Sequence, residues 1–157
     1  MAQLNAAFRI EESLGHLIAK THQLFSSFFK EKLEGYGLTP PQFGTLAFLW
    51  QQDGISQIRL ALLMRKDRTT MSGIIDRLEK EGLVVRRSDP EDRRAHLVYV
   101  TPKGAGLRAE LEKIAVQSNF ELTATLSEKE RKQLIFLLKK ILEAPTAKKY
   151  LISGGKP

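Results

Sequence analysis

The sequence predicts a mainly α-helical protein carrying one small β-hairpin, and three observations support this. Apolar residues recur at steps of three and four along most of the chain, the spacing of one helix face. Helix-start signals stand at Thr39-Pro40-Pro41-Gln42, at Thr101-Pro102 and at Ser127 to Glu130. The pattern turns to alternation at His96-Leu97-Val98-Tyr99-Val100, behind an Asp89-Pro90 turn, as a half-buried strand requires.

Taken in order, the first element is one long amphipathic helix, expected over Ala7 to Glu34 and ended by Gly35-Tyr36-Gly37. Its stripe of Leu14, Leu17, Ile18, Leu24, Phe25, Phe28 and Phe29 is wide and aromatic, so something must cover it. Thr39 caps the second helix, Pro40 suits its first turn and Gln42 completes a capping box; Phe43, Leu46, Leu49 and Trp50 form its buried face, and Gln52-Asp53-Gly54 stops it. Ser56 caps a short third helix containing Ile58, Leu60, Ala61, Leu62 and Leu63, with Arg59 where a glutamate would complete the box. Asp67 opens a fourth helix that runs to about Glu81, closes at Gly82 and buries Met71, Ile74, Ile75 and Leu78. Val84 to Arg87 forms a strand that pairs with His96 to Thr101. One helix is expected after Thr101-Pro102, with Leu107, Leu111, Ile114, Leu122 and Leu126 inward. Ser127 to Glu130 is a full capping box, and the last helix carries Leu134, Leu137, Leu138, Ile141 and Leu142 before Pro145; a polar tail runs from Thr146 to Pro157.

The 157 residues suffice for one well-buried core, or for a small domain with an oligomerisation element. Twenty-five basic residues against 18 acidic leave a charge of +7, which favours an anionic partner. Many scattered surface lysines would give the same total, and Lys139, Lys140, Lys148 and Lys149 lie far from the hairpin. With no cysteine, disulfides, thiolate metal sites and cysteine nucleophiles are excluded. No apolar run is long enough to span a membrane and Met1 to Arg9 is no signal peptide, so a cytoplasmic protein is expected. No GxSxG, HExxH or glycine-rich phosphate loop occurs, so no enzyme and no cofactor is expected.

Helix, turn, helix, strand, hairpin, strand within Ser56 to Thr101 is the order of a winged helix-turn-helix. A DNA major groove about 12 Å wide accepts one helix, whose first residues face the base edges. Opposite its buried face, the fourth helix shows Arg68, Thr69, Thr70, Gly73, Asp76, Arg77 and Lys80, small or cationic groups suited to close approach to DNA. A solvated helix face reads the same way. Arg93 and Arg94 at the hairpin tip could enter a minor groove, and Asp92 could brace an arginine by a bidentate pair. Local ion pairs on a charged turn are the plainer account of the tip alone. The two features in this order favour DNA.

With those residues in place the chain resembles the multiple-antibiotic-resistance regulator (MarR) family of transcription factors, from about Ile10 to Leu142. The most specific match is Asp92-Arg93-Arg94 with Leu97 through Val100-Thr101 and Gly104. Leu38 to Phe43, Leu60-Ala61 and Asp76 to Val84 support it, while Arg59 departs from the acidic residue usual before Leu-Ala. The resemblance implies a triangular homodimer with intertwined first and last helices and two winged lobes on a palindromic operator. It puts Thr69, Thr70, Ser72 and Arg77 in or beside the major groove and Arg94 in the minor groove with Asp92 as its brace. The expected division is dimerisation helices in 1–37 and 105–157 around a DNA-binding unit in 38–104, with the helix-turn-helix at about 56–81 and the wing at about 84–101.

The flanking apolar stripes point to a dimer without the resemblance, since a small monomer would leave a large patch exposed. Both helices covering one monomeric core is the other solution. The family's effectors, often aromatic acids or phenols, enter a cleft between dimer helices and lobe, which makes His16, Phe43 and Trp50 candidate lining residues; plain core packing is the competing role for Phe43 and Trp50. A zinc-sensing site is not expected, because His16 and His22 are six apart, off the spacing of one helix face, and His96 lies at the wing. A winged-helix protein-interaction module that does not read DNA remains the alternative function.

Overall fold

The computed structural model describes residues 8–92 and 95–147. Among these, seven α-helices and three strands follow one another: α1 (Leu14–Leu33), α2 (Pro40–Gln51), β1 (Ile55–Ser56), α3 (Gln57–Met64), α4 (Arg68–Lys80), β2 (Val84–Ser88), β3 (His96–Val100), α5 (Pro102–Gly106), α6 (Arg108–Leu122) and α7 (Glu128–Glu143). The mainly helical class with a small hairpin is as expected. Arg93, Arg94, Ala7 and the tail from residue 148, including Lys148 and Lys149, lie outside the described residues.

Local chemistry explains where the helices begin. Thr39 and Gln42 form the reciprocal capping box of α2, and Ser127 and Glu130 that of α7. Ser56 accepts from the Arg59 N–H at 3.2 Å with no reciprocal bond, as expected with arginine in the box position. Asp67 Oδ1 accepts from the Thr70 N–H at 2.8 Å and Oδ2 from the Thr70 hydroxyl at 2.6 Å.

Three elements differ from expectation. The first helix starts at Leu14 rather than near Ala7, because Ser13 is extended (φ −72°, ψ 128°) and residues 10–12 form a 3-10 turn. Arg9 pairs with Glu11 at 2.8 Å and Glu12 at 3.2 Å and tightens that turn. The helix after Thr101-Pro102 is divided into α5 and α6 at Leu107. Glycines at 104 and 106 weaken helix propagation there, and Arg108 Nη1 donates to the Trp50 carbonyl at 3.0 Å, which anchors the new start on α2. Leu126, expected on that helix, lies beyond its end and donates its N–H to the Thr123 carbonyl at 2.9 Å.

The third difference is β1, which makes the hairpin a three-stranded antiparallel sheet of order β1-β3-β2. Ile55 pairs with Val98, and Val84, Arg86 and Ser88 pair with Val100, Val98 and His96. Gly54 (φ 71°) turns the chain into β1, and its N–H donates to the Val98 carbonyl at 3.1 Å. Two residues are too few for an alternating pattern, so pairing to β3 alone makes this a strand.

The core joins α2, α3, α4 and the sheet. Leu46, Leu49, Leu60, Met71, Ile75, Leu78, Val84 and Val98 are all buried, joined by Leu33 from α1 and Leu111 from α6. Each such side chain contributes about 1.5–3 kcal/mol of apolar burial. The outer helices differ. α7 buries no residue: Leu134, Leu137, Leu138, Ile141 and Leu142 stay 39–51% exposed, and Leu14, Leu17 and Ile18 of α1 stay 45–72% exposed.

Candidate nucleic-acid interface and adjoining cavity

The turn between α3 and α4 is Arg65-Lys66-Asp67. Arg65 adopts a left-handed backbone (φ 52°, ψ 47°), the positive-φ non-glycine residue among those described. This reverses the chain, and the Lys66 N–H donates to the Ala61 carbonyl at 2.9 Å. Asp67 then caps α4. The Thr70 hydroxyl, followed by the Thr70 N–H, holds the Asp67 carboxyl below its ordinary range.

α4 has two unlike faces. Met71, Ile74, Ile75 and Leu78 are buried, at most 7% exposed. Arg68, Thr69, Thr70, Asp76, Arg77 and Lys80 are exposed, whereas Ser72 and Gly73 are half-buried. The expected contacts Arg68, Thr69, Thr70 and Arg77 thus share one solvent-facing helix, while Ser72 stands at its margin. Arg59, Arg65 and Lys66 add exposed positive charge from α3 and the turn.

The hairpin rises beside this helix. The Asp89 N–H donates to the Ala95 carbonyl at 3.0 Å, the Ala95 N–H to the Asp92 carbonyl at 2.9 Å, and the Glu91 N–H to Asp89 Oδ1 at 2.9 Å. Asp89 therefore closes the turn with its side chain, as an aspartate before proline commonly does. Arg93 and Arg94 fall outside the described residues, and with them the proposed pairing of Asp92 to Arg94. At the wing's base, Ala95 and His96 share a cleft of about 230 Å³ with Arg68, Ser56, Gln57 and Ile58. Arg87 lies over the Tyr99 ring, 4.9 Å from its centroid.

Nothing in the sequence singled out Arg86. From β2 its guanidinium reaches Asp76 at 2.6 Å, Glu79 at 2.6 Å, Gln57 Oε1 at 3.2 Å and the Ser72 carbonyl at 3.2 Å. Its backbone N–H donates to the second Glu79 oxygen at 2.9 Å. Asp76, expected on the groove-facing surface, is thus the partner of a strand arginine. Two adjacent strand arginines give no hint of which one turns inward.

A second feature adjoins the lobe. A cavity of about 240 Å³ lies between α1, the start of α2 and α6, lined by Phe25, Phe29, Pro40, Phe43, Ala115 and Leu122 with the polar Ser26, Ser118 and Asn119. Among the described residues Ser118 Oγ has no hydrogen-bond partner although it is buried, and an unsatisfied buried polar atom costs free energy. Of the three expected ligand contacts, Phe43 lines this cavity. Trp50 stands behind it, ring centroids 6.1 Å apart, and donates Nε1–H to the Gly104 carbonyl at 3.2 Å. His16 is half-buried on α1 and lies off the cavity. Ser118 was legible only as a hydroxyl on the inward stripe Leu111, Ala115, Ser118, Leu122. Among the described residues no group of three or more His, Cys, Asp or Glu could hold a metal, and no helix is long and apolar enough to cross a membrane.

A capped helix pair with an exposed basic face, flanked by a three-stranded sheet and hairpin, defines a winged helix-turn-helix protein. A family model for the MarR family matches residues 38–96. The chain is 31% identical over 140 residues to the HTH-type transcriptional repressor NicR of Pseudomonas putida, covering 89% of each protein. It is 36% identical over 105 residues to a protein proposed to regulate the hcr operon of Thauera aromatica, matching 67% of this chain and 63% of that one, so it spans less than two thirds of that relative. The solved structure of Bordetella bronchiseptica BpsR, whose DNA binding is regulated by 6-hydroxynicotinic acid, superimposes with a TM-score of 0.83 at 30% identity over 88% of this chain and 99% of that one. The chain belongs to the MarR family of DNA-binding transcriptional regulators.

Proposed function

We propose that the protein is a homodimeric repressor of neighbouring genes that binds a palindromic operator and is released by a small aromatic ligand. The observation that carries the DNA-binding part is α4, with an apolar face locked in the core and Arg68, Thr69, Thr70 and Arg77 exposed beside the wing. In this reading α4 enters the major groove and Arg94, braced by Asp92, enters the minor groove next to it; Arg93 adds charge and Ser72 approaches the groove from the helix margin.

The dimer is supported by the uncovered stripe of α7 together with Leu14, Leu17 and Ile18, an apolar surface that a second copy would bury. Two-fold symmetry lets the paired recognition helices meet successive major grooves about 34 Å apart. Release is supported by the cavity between α1, α2 and α6, which is aromatic and holds the unsatisfied Ser118 hydroxyl, and by the ligand response of BpsR. A ring against Phe43 would wedge α1 and α6 relative to the lobe and alter the spacing of the two α4 helices. Trp50 backs that ring, and His16 lies off this cavity.

The test is binding to the protein's own upstream DNA at several salt concentrations. Log K is expected to fall linearly with log salt, with a slope of about −0.9 per phosphate contacted, and to prefer that DNA over random duplex. Arg77→Ala and Arg94→Ala should each weaken binding, and Lys139→Ala should not. Trp50 is the single tryptophan of the sequence, so its emission should change when an aromatic acid displaces the DNA. Salt-independent binding, or equal affinity for random duplex, refutes the reading.

A further inference from the structure

Arg86 holds three elements at one point. Its side chain is only 16% exposed although it belongs to a five-residue strand of the wing. Nε donates to Gln57 of α3, Nη1 to Glu79 and Nη2 to the Ser72 carbonyl of α4, and Nη2 also forms an ion pair with Asp76 of α4. A guanidinium presents its donors in a fixed plane, so partners on four sides set both distance and angle, which a lysine's single ammonium cannot do. Asp76 is 62% exposed and precedes the exposed Arg77. Unpaired, it would set negative charge beside the helix face proposed to meet phosphates.

We propose that Arg86 is a positioning residue for DNA recognition: it sets the orientation of α4 against the wing and cancels the charge of Asp76 beside the DNA. The proposal rests on the DNA-binding reading above. Arg86 touches no DNA in this scheme. It keeps the major-groove helix and the minor-groove probe in register before DNA arrives, so that ordering the two elements costs nothing at the moment of binding. A half-buried ion pair that served stability alone would lower the melting temperature and leave the mode of binding unchanged.

The experiment compares full-length wild type, Arg86→Lys and Arg86→Gln on the operator duplex and on random duplex, from about 50 to 300 mM salt, at a temperature where melting curves show each protein folded. Both variants are expected to lose about tenfold or more of an operator preference that in specific readers is on the order of 10³–10⁷. Their salt dependence should become shallower by about 0.9 for each phosphate that the wing no longer neutralises. Adding Asp76→Asn to Arg86→Gln should raise affinity for random duplex without restoring the operator preference. If Arg86→Gln does not fold, Arg86→Lys carries the test, since it keeps the charge and loses only the fork. A specific wild type with Arg86→Lys of unchanged slope and preference overturns the positioning role alone, whatever its melting temperature. A wild type with no operator preference overturns the DNA-binding reading and this role with it.

Discussion

Replacing Gly104 by alanine tests the joint between the lobe and the outer helices. An alanine Cβ would collide with the Leu83 carbonyl oxygen and stand 3.1 Å from its carbon and 3.1 Å from Val100 Cγ1, where ordinary contact begins at 3.4 Å. The clashing oxygen is backbone and is not free to move: it accepts the Thr101 N–H at 3.0 Å, and the Thr101 hydroxyl donates to the Gly82 carbonyl at 2.6 Å. The Gly104 carbonyl itself receives Trp50 Nε1–H at 3.2 Å. Helix propensity favours alanine by about 1 kcal/mol. Against it stand overpacking at about 1–3 kcal/mol and two or three strained hydrogen bonds at about 1 kcal/mol each. The net is a destabilisation of about 2–5 kcal/mol, or a melting temperature lower by about 4–20 °C for a chain of this size. Gly106→Ala in the same short helix meets nothing within 4 Å, so propensity alone acts and a rise of up to about 1 kcal/mol is expected. Thermal unfolding followed by circular dichroism measures both. Gly104→Ala melting at or above wild type would show that the close approach of α5 to Leu83 is not a real constraint.

Three further outcomes are expected. Gly73→Ala adds a methyl to open space within α4, so it should raise the melting temperature while weakening binding to the proposed operator; tighter binding would count against close approach of this face to DNA. Leu138→Lys puts charge into the uncovered stripe of α7 and should convert the proposed dimer to monomer in sedimentation velocity, with an unchanged mass arguing for another interface. Asp67 contributes to stability through its lowered pKa, so that contribution is present above the ordinary aspartate value of 3.8 and is lost as pH falls through the lower folded value. Asp67→Asn should accordingly flatten part of the acid limb of a stability–pH curve, leaving the contribution of Glu130, lowered by Ser127 in the same way. An unaltered acid limb would show that the cap carries no such linkage.

The candidate site was legible in unequal parts. The exposed face of α4 followed from helix periodicity, because the four apolar residues Met71, Ile74, Ile75 and Leu78 mark one face as buried and leave the opposite face to solvent. The wing strands were legible because the period changes to two at His96. The inward turn of Arg86 was not, since strand alternation says that Arg86 and Arg87 face opposite sides without saying which side carries Asp76 and Glu79. The cavity was half legible: Phe43 was singled out, while Phe25 and Phe29 were legible only as a stripe needing cover.

By itself the sequence determined what depends on neighbours along the chain: the capping boxes at Thr39 and Ser127, the Asp67 cap, the buried faces and the hairpin, all set by interactions within a few residues. The tertiary structure alone decided what depends on residues brought together from far apart. It made Ile55-Ser56 a strand by pairing it with β3, divided α5 from α6 where Arg108 meets the Trp50 carbonyl, and gathered Gln57, Ser72, Asp76 and Glu79 around one guanidinium. Such contacts have no period and no fixed spacing, so they leave no local signal to read.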